Sequence, residues 1–146
     1  MRVWFFRAKS EIGGEIDEAK PLPAEGFEIL MPSAPSLAYE QVTYRKVFVK
    51  NVGDKPVKNV AVYIKEQTPS PDDDVFLASG TPDDTVEQAK NYQFLQPMDK
   101  TTAILLAEEL LPGESASFWV KRIVRANPAP FPKNHYTIAV VYTFRP

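Results

Sequence analysis

The last third of the chain alternates with a period of two, and no other feature constrains the fold as strongly. Ser115 to Val124 sets Ala116, Phe118 and Val120 on one face and Ser117, Trp119 and Lys121 on the other. His135 to Phe144 sets Tyr136, Ile138, Val140, Tyr142 and Phe144 on one face. Its opposite face carries Thr137, Ala139, Val141 and Thr143, small and apolar enough to predict that it is covered as well. Side chains alternate across a strand but recur every three or four positions on a helix, so both segments read as strands. The stretch from Arg125 to Asn134 between them holds three prolines and reads as a loop.

The same signals recur upstream. Val42 to Lys50 is rich in β-branched and aromatic residues, Asn51-Val-Gly-Asp-Lys-Pro56 is a turn cluster, and Val57 to Lys65 alternates again. Together they predict a hairpin over 42–65. Residues 66–100 read as irregular, with a short strand at Val75 to Ala78, one helical turn over Val86 to Lys90, and a strand at Tyr92 to Leu95. Thr81-Pro82-Asp83-Asp84 precedes that turn, with carboxylates near its positive end. A further strand is expected at Thr101 to Leu106. Many short strands separated by turns predict an all-β chain, an immunoglobulin-like antiparallel β-sandwich over 42–146.

Residues 1–41 differ. A short apolar strand from Val3 to Phe6 is followed by Gly13-Gly14 and then by Pro21, Pro23, Pro32 and Pro35. Proline fixes φ and pushes the preceding residue to extended conformations. This stretch is expected to form an extended proline-rich N-terminal arm with a short strand near Phe27 to Leu30. Val3, Trp4, Phe5 and Phe6 are its expected anchor. Apolar side chains at a terminus are costly to leave in water, so they pack on this domain or on a partner.

Composition narrows the function classes. The 146 residues are 44% hydrophobic and 25% charged, enough for one core without a staple. There are no cysteines, which excludes disulfides and thiolate chemistry. The net charge of −2 gives no footprint for nucleic acid or a membrane surface, and neither is expected as a partner. The apolar run near the start is too short for a signal peptide, and no Asn-x-Ser/Thr sequon occurs.

Candidate chemistry is sparse. Asp72-Asp73-Asp74 and Asp83-Asp84 crowd hard oxygens but lack the loop spacing of a calcium site, so they read as solvated acidic turns. His135 is the only histidine and no Gly-x-Ser-x-Gly elbow accompanies it. Glu108, Glu109 and Glu114 carry no signature of a paired-acid site, and phosphate-binding glycine loops are absent. No catalytic residue, metal ligand or cofactor is therefore expected. Lys121, Arg122, Arg125 and Lys133 lie near Phe118, Trp119 and Phe131. Basic residues among aromatics can stack on single-stranded nucleic acid, but the acidic overall balance favours a protein-facing surface. Trp119, Arg122, Arg125 and Phe131 are the residues expected on it.

Two stretches carry a resemblance. Val47 to Ile64, with its Asn-x-Gly turn, and the later turn Leu111-Pro-Gly-Glu-Ser115 together resemble CARDB-type immunoglobulin-like domains. The segment Phe118-Trp-Val-Lys-Arg through His135-Tyr136 resembles a strand–loop–strand of tailed-phage virion proteins. Lys121 and Arg125 stand where that pattern has Arg and Pro. The resemblance implies a virion component rather than an enzyme, foremost a capsid decoration protein of a bacteriophage, assembled in the host cytoplasm. Its implied partners are the major capsid protein or other virion proteins and further copies of itself, with a trimer favoured. The arm would lash neighbouring subunits. Alternatives are a tail, neck or baseplate component, and a CARDB-like carbohydrate-binding or adhesion module stacking sugars on Trp4, Trp119 and Tyr63.

Overall fold

The alternating segments do form strands, and their apolar faces meet in one core. The computed structural model describes residues 3–10, 13–21, 26–30, 40–68, 71–126 and 135–144. In chain order these are β1 (Val3–Ser10), β2 (Gly13–Pro21), β3 (Gly26–Leu30), β4 (Gln41–Asn51), β5 (Val57–Glu66), β6 (Asp73–Ser79), α1 (Val86–Ala89), β7 (Ile104–Leu110), β8 (Ser115–Val124) and β9 (His135–Phe144). One sheet has the order β2-β1-β4-β8-β6 and the other β3-β9-β5-β7. All named pairings are antiparallel.

The core lies between the sheets. Val3, Phe5, Val47, Val49, Val75, Leu77, Phe118 and Val120 come from the first. Val57, Val60, Val62, Ile64, Leu110, Tyr136 and Ile138 come from the second. β1, β4, β6, β8 and β9 contribute alternate residues, as the pleat requires. Phe5 meets Phe118 edge to face, with ring centroids 6.1 Å apart. The outer face of the first sheet is covered in its turn. Phe6, Ala8 and Phe48 form a second apolar cluster against Ile16 of β2.

Several expectations change. β4 and β5 are not a hairpin: β4 pairs with β1 and β8, whereas β5 pairs with β9 and β7 in the other sheet. The reason is the Asn51 side chain, fully buried where the turn crosses between sheets. Its Nδ2 donates to the carbonyls of Lys55 (2.8 Å) and Leu110 (2.9 Å), and its Oδ1 accepts from Gly53 N–H (3.0 Å). Its backbone exchanges hydrogen bonds with Glu114 and Gly113. The Asn-x-Gly and Pro-Gly-Glu turns are thus one knot. Tyr92 to Leu95 is not a strand either; it makes a single bridge, Leu95 to Leu77. β7 begins at Ile104 rather than at Thr101.

The described part of residues 1–41 supplies three strands to the two sheets: β1 lies along β4, β2 along β1, and β3 along β9. The proline-bearing stretches at 22–25 and 31–39 lie outside the described residues.

Candidate functional site

Chemistry-bearing groups gather on the outer face of the first sheet. The β4–β8 register sets Lys46 opposite Trp119, and the β6–β8 register sets Ala78 on the other side of that indole. The chain leaving β6 then folds back over this face. Gly80 N–H donates to Ser117 O at 2.9 Å, and Ser117 Oγ donates to Thr81 O at 2.8 Å. Lys46 Nζ donates to the carbonyls of Pro82 (3.0 Å) and Asp84 (3.2 Å).

This fold-back drops the Asp84 carboxylate into a closed cradle. Its Oδ2 accepts from Thr81 N–H (3.0 Å), Trp119 Nε1–H (2.9 Å) and Tyr92 O–H (2.7 Å). Its Oδ1 lies 2.7 Å from Lys46 Nζ, and the two side chains are 1% and 0% exposed. That contact lies outside hydrogen-bond geometry, and Oδ1 has no other polar partner. The ammonium also sits 5.1 Å from the Phe48 ring centroid and 5.9 Å from that of Trp119. Two glycines admit this packing. A Cβ on Gly80 would stand 3.0 Å from Asp84 Oδ2 and from Trp119 Cδ1. Gly13, at φ +135°, brings β2 against Asp84 and Thr85, where a Cβ would stand 2.9 Å from the Asp84 carbonyl oxygen.

Burial pushes the Asp84 carboxyl up, but the Lys46 ammonium and the Thr81, Tyr92 and Trp119 donors together hold it below its ordinary value. Burial, followed by the adjoining Asp84 charge, pushes the Tyr92 hydroxyl up to about 12. The resting state is an ion pair in an aromatic box.

A second ion pair lies at the end of the core. Arg122 binds Asp73 bidentately, with Nε at 2.9–3.0 Å from both oxygens and Nη2 2.6 Å from Oδ2. Tyr136, beside it, is pushed up to about 12 by its burial. Arg125 reaches Asp74 at 2.9 Å and the Pro71 carbonyl at 2.5 Å. Elsewhere Lys121 lies over the rings of Tyr44 and Phe94, 5.9 and 5.5 Å from their centroids.

The residues expected to face a partner are therefore not together. Trp119 is fully buried, so it offers no surface to a protein and no platform to a sugar. Arg122 points inward, because it shares parity along β8 with Phe118 and Val120. Arg125 is half engaged by Asp74, and Phe131 lies outside the described residues. Of the expected anchor, Val3 and Phe5 are wholly within this domain's core and Phe6 is in the outer cluster. Trp4 keeps 38% of its surface exposed. The carboxylates expected to be solvated divide: Asp73 and Asp84 are buried, whereas Asp83 is exposed. Lys46 was missed; its signal is a lysine on the same strand face as Phe48, in a segment apolar on both faces.

Among the described residues no group of three His, Cys, Asp or Glu side chains could hold a metal ion. A pocket of about 660 Å³ is lined by Pro56, Lys58, Asn59, Glu109, Thr143 and Phe144, with Lys58 Nζ 4.0 Å from Glu109 Oε2. No helix among the described residues is long and apolar enough to cross a membrane.

No protein-family model matches the chain, and no curated protein does. Among solved structures it is similar to AvmM, described as catalysing macrocyclization in alchivemycin A biosynthesis. The two are 11% identical, the match covers 91% of this chain and 94% of that one, and the TM-score is 0.36. A likeness of that degree carries no functional argument.

Proposed function

We propose that the chain is a non-catalytic structural protein of a tailed-phage particle, a capsid decoration protein that associates through one flank of its sandwich. The observation that carries this reading is that three of the seven large apolar side chains exposed among the described residues lie on one stretch of chain. Leu95, Met98 and Leu105 are each about half exposed (49%, 47% and 50%), and all belong to the chain that runs from the edge of β6 to the edge strand β7. β7 pairs on one side alone, with β5, and lies beside β6. A flank with a free strand edge and exposed leucine and methionine is suited to joining another chain by main-chain pairing and apolar contact. Glu108 and Glu109, both exposed on β7, guard that edge against indiscriminate pairing.

This revises the lashing mechanism. Val3, Phe5 and Phe6 are occupied within the domain, so association rests on the β6–β7 flank, with copies of the chain meeting there as a trimer and the shell binding the assembly. The resemblance of the β8-to-β9 segment to virion proteins supports the particle setting. Sedimentation of the full chain with undecorated capsids of the encoding virus tests the reading. Saturable co-sedimentation that Leu105→Glu abolishes, with the circular dichroism spectrum unchanged, is the expected result. No co-sedimentation by the unmodified chain overturns it.

A further inference from the structure

We propose that Lys46 and Asp84 close into a side-chain amide, an internal covalent cross-link between the central strand β4 and the segment that covers it. This inference is independent of the particle reading, because it rests on one buried cluster alone.

Three observations carry it. The first is proximity. Nζ and Oδ1 are 2.7 Å apart, with both side chains essentially unexposed, so the reacting groups are held together and hydrolysing water is kept out. The second is direction. Hydrogen bonds to the Pro82 and Asp84 carbonyls fix Nζ beside the carboxyl group, and it meets Oδ1 at an angle outside hydrogen-bond geometry. The third is the cradle on the other oxygen. Thr81 N–H, Trp119 Nε1–H and Tyr92 O–H all converge on Oδ2 within 3.0 Å. Three donors on one carboxyl oxygen are more than an ion pair requires. They form the arrangement that stabilises negative charge when a carbonyl carbon is attacked.

The chemistry balances without another reactant. A proton passes from the Lys46 ammonium to Asp84 Oδ1, leaving a neutral amine beside a neutral acid. Burial favours this exchange, since it removes two charges from a low-dielectric box. The Nζ lone pair then attacks Asp84 Cγ, and the C–O electrons move onto Oδ2, where the three donors hold them. A proton from nitrogen goes to Oδ1, the Cγ–Oδ1 bond breaks, and Oδ1 leaves as water. The product is an amide whose carbonyl oxygen, Oδ2, keeps its three hydrogen bonds. Nothing is oxidised or reduced. Because the cradle also favours the ionised carboxylate, the ion pair forms first and the bond accumulates slowly after folding.

Intact-mass measurement on the full chain, taken after purification and again after prolonged incubation of the folded protein, tests this. The expected species is lighter than the sequence mass by one water and grows with incubation. Trypsin then leaves the bond after Lys46 uncut, and fragmentation yields one branched peptide joining Lys46 to Asp84. Lys46→Arg keeps the cation but removes the nucleophile and restores the full mass. Tyr92→Phe, which removes one donor, slows accumulation by at least about tenfold. A chain that stays at its sequence mass, with ordinary tryptic cleavage after Lys46, overturns the proposal. So does a one-water deficit that persists in Lys46→Arg on a linear peptide, because that marks a backbone succinimide. The peptide map of the unmodified chain decides the matter even if a variant fails to fold.

Discussion

At the residue scale, the account turns on Asp84 and its partners. Removing one member of a buried pair strands the other charge, so Lys46→Ala and Asp84→Ala should each lower stability by about 3–5 kcal/mol in urea unfolding. The double variant Lys46→Met with Asp84→Leu should recover most of that loss, because an apolar pair fills the box without desolvating a charge. The pH dependence has a definite sign. Asp84 is held below its ordinary 3.8 when folded, so its contribution is complete above that value and disappears as the pH falls through the lower folded value. The double variant should therefore lose less stability on acidification than the ion-paired chain. Tyr92 and Tyr136 are both pushed up to about 12 from 10.0, so their contributions are present below pH 10.0 and are lost as the pH rises towards 12. Phenolate absorbance should show Tyr92 and Tyr136 titrating late in the folded chain, and Tyr92→Phe should remove one late-titrating group.

At the element scale, Asn51 joins two turns far apart in sequence. Asn51→Ala leaves the buried Leu110 carbonyl and the Gly53 N–H without their partner, and should cost about 3 kcal/mol by thermal or urea unfolding. β8 and β9 were legible from sequence to the residue, because period-two alternation with Phe118, Val120, Ile138 and Val140 on one face admits no other element. β2 was not, since Gly13-Gly14 and the charged run to Lys20 carry no apolar face; it is an edge strand held by pairing to β1. The hairpin over 42–65 failed because a turn sequence specifies a reversal of direction, not the sheet to which the returning strand goes. The site was less legible still. Lys46, Asp84 and Tyr92 lie in three different segments, and only the fold-back after β6 brings them onto one indole. Parity along β8 did, however, forbid Trp119 and Arg122 from sharing a face. If the Lys46–Asp84 amide forms, it closes a loop of 38 residues' separation, for which chain-closure entropy gives about 4 kcal/mol of stabilisation.

At the scale of the whole molecule, the two arginines expected to face a partner are engaged internally. Arg122 answers Asp73, and Arg125 answers Asp74. What the sandwich presents at β7 is an edge strand with Leu105 half exposed, the surface on which the proposed association rests. Self-association through that flank predicts a mass in solution that falls to the monomer in Leu105→Glu, without loss of the fold. The most direct measurement is co-sedimentation of the full chain with undecorated capsids of the encoding virus, read beside the same experiment with Leu105→Glu. The account predicts saturable binding by the unmodified oligomer and none by the folded variant. Capsids that take up neither protein, or both equally, would contradict it.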